Sequence, residues 1–304
     1  MTNEILLAGL SSVLRKSQKL PKHIDLASLT RGTLASVYDF VSSDVISESI
    51  FSGIDPDPAT ATLKGLVEMV ERRAFTGGRE IGIPECQTKR SDGFAAFPKS
   101  PGVDAGLKAR ENALAEAIER YVWATWWDDP SIAHTMRKVD LADFNPGEEL
   151  LLDTSKAVAI SEIVEVRPVL ASLAHFVVIY FAKLNPVGVI SGGACGSQDD
   201  IANIRYRAIS ELLRHALAVR KLRSGSMTPG TFYERRLAYF AMTVAGTQSA
   251  ERRLGCSGKK SISLPKLQWD TEIPHGMDEA VTVHRCYFEG QPPFVGGELE
   301  RLCL

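Results

Sequence analysis

Glu116, Glu119, Arg120 and Trp123 recur at i, i+3, i+4 and i+7, the spacing that puts four side chains on one face of a helix. Ala113, Leu114, Ala117, Ile118 and Val122, lying between them, supply an apolar side for a core. Two carboxylates three residues apart repel each other by about 0.2–0.5 kcal/mol, so that face needs a nearby cation or open solvent. Taken alone, the pattern is a Glu116–Arg120 pair on a wet helix face, worth little. Repetition points further. The segment Lys64–Arg72 carries Glu68, Glu71 and Arg72 at the same spacing, with Phe75 where Trp123 stands. The segment Arg207–His215 keeps Glu211 and puts Arg214 in place of the second acid. Three helices with one polar triad suggest a common centre of charge. Carboxylate oxygens suit a hard cation such as magnesium, and arginines suit phosphate.

At these residues the chain resembles the YcaO family, ATP-dependent enzymes that activate the backbone amide of a peptide. The first family segment, a SAxxEAxER-like helix, is matched by Thr62–Arg72. The second, an SNGLAAG-like turn and an ExxER helix, is matched by Ser91-Asp92-Gly93-Phe94-Ala95-Ala96 and then Glu116-Ala117-Ile118-Glu119-Arg120. The third, a Gly-rich turn before an RAxxExxQ helix, is matched by Ser191-Gly192-Gly193-Ala194 and Arg207-Ala208-Ile209-Ser210-Glu211. The pattern departs at Lys108, where many members have an acid, at Arg214 for Gln, at Cys195 where His is frequent, and at Leu304, with no proline-rich tail.

The resemblance implies a YcaO-like fold, α/β or α+β, of layered sheets and helices, with a non-Walker ATP site between helices. It implies that Glu68, Glu71, Glu116 and Glu119 hold magnesium. Arg120, Glu211, Arg214 and, less directly, Arg72 complete the nucleotide site. It names no covalent catalytic residue: positioning and electrostatics align the γ-phosphate with an amide oxygen. Attack by a neighbouring Cys, Ser or Thr side chain gives an azoline, the leading expectation, and external sulfide gives a thioamide. A degenerate scaffold that binds a peptide or a partner subunit is the alternative outside catalysis. No Walker A or GxGxxG motif competes with this reading.

Composition sets bounds. The 304 residues are 44% hydrophobic and 24% charged, with a net charge of −2, so nothing pulls the chain towards nucleic acid or an anionic membrane. Five scattered cysteines without a CxxC argue against a zinc site or a disulfide framework. The apolar stretch Val169–Leu184 contains His175 and Lys183 and is too short to span a bilayer, and the start lacks a signal peptide, so a cytoplasmic location is expected.

The elements that must position these residues follow from periodicity. Helices are expected at Asn3–Ser17, Ala59–Phe75, Val103–Trp127, Asp199–Leu222 and Thr231–Val244. Strands are expected within Thr88–Phe97, at Leu150–Leu152, Ala157–Ile160, His175–Lys183 and Ala280–Phe288, with Val187–Ile190 running into the glycine turn. Leu26–Ile50 gives a mixed signal, and Asp140–Pro146 is read as linker. Arg252-Arg253 and Lys259-Lys260 around Gly255–Gly258 look like an exposed loop. Trp123, Trp126 and Trp127 are read as packing residues, Cys195 as a buried filler, and Ser210 and His215 as helix surface.

A single domain over 1–304 is expected, with residues 1–50 as an N-terminal extension and 225–304 as a loop-rich C-terminal part. That extension is too short for a peptide-clamp domain of the ubiquitin-activating-enzyme-like kind. Leader-peptide capture would fall to a separate protein, in a hetero-complex or with a homodimer. The aromatic run Tyr121–Trp127 and the tail Phe294–Leu304 are expected to offer apolar docking surface.

Overall fold

The computed structural model describes residues 3–16, 23–29, 32–40, 48–55, 57–77, 92–139, 159–172, 174–275, 279–292, 294 and 299–302. They form an α+β arrangement of helices and antiparallel sheets in two compact units.

The first unit comprises Met1–Gln87, Asp92–Leu114 and Leu267–Tyr287. Strands β1 (His23–Leu29), β2 (Gly32–Phe40) and β3 (Glu48–Asp55) pair in that order as an antiparallel sheet; helix α2 (Pro58–Gly77) packs on β2 and β3, and helix α1 (Asn3–Lys16) packs on α2. These strands occupy the stretch whose periodicity was mixed. Asp57 caps α2, its carboxylate accepting from the Thr60 amide at 2.9 Å. A second sheet runs β4 (Gly93–Pro98), β10 (Val281–Phe288) and β9 (Leu267–Glu272). Leu10 and Leu14 of α1 meet Leu66, Met69 and Val70 of α2 and Phe94, Val281 and Val283 of the second sheet in one apolar core.

Asp92 stands just before β4, and its carboxylate turns inward to the Arg285 guanidinium of β10, both side chains fully buried. The Arg285 guanidinium lies 5.3 Å from the Trp269 ring centre. Asp92 of the family-like turn is thus a structural counter-ion. Asp92→Ala leaves a buried guanidinium without its carboxylate, and an expected loss of about 3–5 kcal/mol should appear in urea denaturation. A loss below about 1 kcal/mol would show that the aromatic rings and other contacts hold Arg285 by themselves.

The second unit comprises Thr88–Ser91, Ala115–Lys266 and Phe288–Leu304. Helix α3 (Ala105–Asp128) starts under an Asp104 cap and contributes its residues 115–128 here. Strands β5 (His134–Val139), β6 (Ile160–Pro168), β7 (Phe176–Leu184) and β8 (Val189–Gly196) form an antiparallel sheet in sequence order. A short 3₁₀ turn, Gln198–Asp200, leads into α4 (Ile201–Arg223), followed by α5 (Phe232–Met242) and α6 (Val244–Leu254).

Cross-strand register sorts this sheet into two faces. Arg137, Glu165, Tyr180 and Gly192 form one row, and Met136, Val166, Ile179 and Gly193 form the next row on the opposite face. A Cβ at Gly192 would stand 2.3 Å from the Leu212 amide nitrogen and 2.5 Å from the Ala208 carbonyl oxygen, so α4 packs on the first face. A Cβ at Gly193 would stand 2.5 Å from Trp123 Cζ3, so α3 packs on the second. The Gly-rich segment expected as a turn is therefore a strand. Its glycines are there because helices press on both faces, and neither has a positive φ.

Two further expectations change, and two others fall outside the described residues. Ile163–Val166 lies inside a strand longer than the expected Ala157–Ile160, of which only Ala159 and Ile160 fall among the described residues. The expected strand Leu150–Leu152 and linker Asp140–Pro146 lie outside them. Arg252 and Arg253 end α6 and are not loop residues. Arg253 is buried, its Nε donates to the Trp126 carbonyl at 2.6 Å, and its guanidinium lies 4.0 Å from the Trp126 ring centre.

Much of the described apolar run and tail packs internally. Trp123 and Trp126 are fully buried, and the Phe294 ring packs edge-on to Trp123 at 5.6 Å. Trp127 Nε1 donates to the Glu300 carbonyl, and Arg301 pairs with Asp128. Trp123 and Trp126 are core, as the packing reading of the tryptophans expects, and so are Phe294 and Leu302 of the tail, while Leu299 stays exposed and residues 295–298 and 303–304 lie outside the described residues. Among the described residues no helix is long and apolar enough to cross a membrane.

Candidate functional site

The second unit brings together most of the expected polar residues. From α3, Glu116 and Arg120 form an ion pair at i, i+4, with Arg120 nearly buried. Glu119 lies one helical turn from Glu116, and its Oε1 is 3.3 Å from the position a Cβ would take at Gly193. From α4, Glu211 pairs with Arg214, and His215 Nε2 is 3.4 Å from Glu211 Oε1. His215 Nδ1 faces the Ser191 carbonyl, which can only accept, so that nitrogen carries a proton. His215 is buried, not helix surface: α4 lies against β8, the last strand of its sheet, and its side chains take two β8 carbonyls. The second of these bonds runs from Arg207 Nη1 to the Cys195 carbonyl at 3.2 Å.

The electrostatics centre on Glu119. Burial raises its pKa to about 7, Arg207 opposes the rise, and the neighbouring carboxylates Glu116 and Glu211 add to it. Its side chain keeps a partial opening to solvent. Glu211 behaves the opposite way. Burial pushes its carboxyl up, but Arg214 and His215 outweigh burial and hold it well below the usual carboxylate range. Cys195 on the Glu119 side of β8 is a buried thiol, pushed up by burial and by Glu119, which fits filler and not a nucleophile.

Glu68 and Glu71 stand on α2 in the first unit, both partly exposed, with Arg72 Nη2 at 4.0 and 3.8 Å from their carboxylates. Lys108, the departure from the family pattern, pairs at the surface with Glu111 at 2.8 Å. Sequence reasoning gave Arg207 no role, although it is the largest charge partner of Glu119, and it placed His215 on the surface. The i, i+4 spacing of Glu211 and His215 was the available signal.

Donor chemistry separates two clusters. Among the described residues, the one set of three His, Cys, Asp or Glu ligand atoms within 4.8 Å of one another is Asp270, His284 and Cys286 on β9 and β10. Arg110 already forks onto both Asp270 oxygens, which holds that carboxyl down at about 2. A cation there would meet a guanidinium. The Glu116, Glu119 and Glu211 carboxylates are spread more widely, so one ion does not touch all three in this conformation. Their oxygens are hard donors, and the interleaved guanidiniums fit phosphate.

No family sequence model matches the chain, and no curated protein matches it. Its architecture is nonetheless that of solved YcaO structures. The chain is similar to YcaO from Methanopyrus kandleri bound with AMPPCP and Mg2+, with a TM-score of 0.58 at 13% identity, over 97% of this chain and 92% of that one. It is also similar to a chain of the E. coli microcin synthetase McbBCD complex, with a TM-score of 0.58 at 9% identity, over 91% and 89%. The same complex with pro-MccB17 bound gives 0.57 at 9%. The protein has the YcaO fold.

Proposed function

We propose that this protein binds ATP with magnesium and uses it to activate a backbone amide of a ribosomally made precursor peptide. The observation that carries the reading is the meeting of Glu116, Glu119 and Glu211, from two helices, with Arg120, Arg207 and Arg214 beside a glycine strand. The fold similarity to a nucleotide-bound YcaO structure supports it. Glu116 and Glu119 would hold magnesium, with Glu211 nearby. For Glu68 and Glu71 the same role is proposed on their sequence spacing. Arg120 and Arg214 would exchange their carboxylates for phosphate oxygens. Magnesium, when bound, neutralises phosphate charge and lowers the cost of charge that spreads during phosphoryl transfer. The protein's own share is to hold the amide oxygen in line with the γ-phosphate and to exclude water.

Azoline-forming cyclodehydration is the preferred outcome, with thioamide formation the other chemistry. One microcin synthetase complex structure has pro-MccB17 bound, which favours a peptide substrate and a hetero-complex here. We assign leader capture to a separate subunit, with a homodimer of this chain compatible with it. A second reading, a non-catalytic scaffold, is favoured by one observation: Glu116–Arg120 and Glu211–Arg214 already satisfy each other.

Calorimetric titration with ATP separates the two. Saturable binding that requires magnesium is expected, and its absence would leave the scaffold. The chain alone is expected to hydrolyse ATP slowly and to modify precursor poorly, because one amide offers little binding energy without a second handle on the substrate. Full turnover by this polypeptide alone would refute the need for a partner. Mass spectrometry of modified precursor then distinguishes loss of one water per site from exchange of oxygen for sulfur.

A further inference from the structure

Away from the Glu119 cluster, the second unit holds one buried acid ringed by three guanidiniums. Glu165 of β6 has no exposed side-chain surface. Arg137 Nη2 of β5 reaches its Oε2 at 2.9 Å, and Arg205 Nε of α4 reaches the same oxygen at 3.1 Å. Arg167, two residues along β6, bonds Oε1, and the Tyr180 hydroxyl of β7 donates to Oε2 at 2.7 Å. Burial raises the Glu165 pKa, but these donors more than offset it and bring the carboxyl down to about 2. Arg137, Glu165 and Tyr180 are direct cross-strand neighbours, and α4 comes close enough to add Arg205 because Gly192 continues the same row.

The charges do not balance. Among the described residues, Glu165 is the one carboxylate within ion-pair distance of these three arginines, which leaves two positive charges in surplus. One guanidinium is enough to neutralise a buried acid, and each further one adds repulsion between cations. The surplus is also accessible. The Arg137, Arg167 and Arg205 side chains are 46%, 28% and 31% exposed, while the carboxylate that orients them is hidden. Arg167 is braced further by the Phe176 ring at 4.9 Å. Each guanidinium has five N–H donors, more than one carboxylate and one phenol can occupy.

We propose that Arg137, Arg167 and Arg205 form a binding site for a phosphate group, free or carried on a small molecule. A phosphate group near neutral pH carries about −1.5 to −2 charges, which matches the surplus, whereas a single carboxylate would leave a charge unmet. Guanidinium forks fit its oxygens bidentately, and Glu165 and Tyr180 hold the forks in place before binding. The site is separate from the nucleotide cluster. Arg205 and Arg207 leave α4 about 200° apart. One goes to Glu165 and the other to the Cys195 carbonyl beside Glu119. The inference therefore stands whether or not the nucleotide reading holds.

Titration calorimetry on the full chain with inorganic phosphate and with pyrophosphate, without magnesium, tests it. Saturable, salt-sensitive binding is expected. Arg137→Ser and Arg205→Ser should each weaken it roughly tenfold, the loss of one charge-assisted contact. Arg137→Lys should recover part of it, and melting curves should confirm that the variants fold. Glu119→Gln should bind pyrophosphate as the unaltered protein does, and Arg137→Ser should keep any magnesium-dependent ATP binding. No saturable binding, binding lost in Glu119→Gln but kept in Arg137→Ser, or preference for a short glutamate-rich peptide over pyrophosphate would each overturn the proposal.

Discussion

Glu119→Gln should weaken magnesium-dependent ATP binding roughly tenfold or more, while making the metal-free protein more stable at pH 8. Burial and two neighbouring carboxylates raise the folded-state pKa of Glu119 from 4.5 to about 7. An acid with a raised folded pKa favours the fold fully below its unfolded pKa, and that contribution is lost as pH rises through the folded one. The charge on Glu119 therefore strains the metal-free fold above pH 7. Glutamine carries no charge at any pH. Its advantage should be absent near pH 4.5, grow through the window between 4.5 and about 7, and level off above it. Allowing for the partial solvent opening, a gain of about 1–3 kcal/mol is expected. Urea denaturation at pH 5 and pH 8 measures it, and magnesium with ATP should raise the melting temperature of the unaltered protein only. If the variant is instead less stable at pH 8, Glu119 is a structural partner of Arg207 and the cation reading fails.

Helices α2, α3 and α4 were legible because their polar triads repeat at one spacing, and α2 and α3 start under Asp57 and Asp104 caps. Strands β7 and β10 were legible as β-branched, aromatic runs. β6 was hidden by its own function in the fold. Glu165 in a strand reads as solvent-facing, and the three arginines that reverse this lie 28, 2 and 40 residues away. Arg253 was misread for a similar reason: its partner is a backbone carbonyl 127 residues distant. In the candidate site, spacing exposed the acids of α3 and α4, since i, i+3 and i+4 are local. The electrostatic influence of Arg207 on Glu119 depends on how two helices meet at one strand, and no local period encodes that.

Gly192→Ala should cost about 3 kcal/mol, near the upper end for overpacking, because the added carbon meets backbone and not a movable side chain. It would lie 2.3 Å from the Leu212 nitrogen, 2.5 Å from the Ala208 oxygen and 2.8 Å from Leu212 Cα, so α4 must shift as a body. That shift carries Arg205, Arg207 and Glu211 with it, and those residues serve both the Glu165 ring and the Glu119 cluster. Anion and nucleotide binding should therefore weaken together, even in the folded fraction. Gly193→Ala offers a contrast. Its new carbon meets the Trp123 ring and, at 3.3 Å, Glu119 Oε1 on the other face of the sheet. It should perturb the Glu119 cluster and spare pyrophosphate binding at Arg137 and Arg205. Equilibrium denaturation and the two titrations on both variants separate the effects. If Gly192→Ala melts like the unaltered protein, or lowers stability without touching either titration, the close seating of α4 on β8 does not set the two sites.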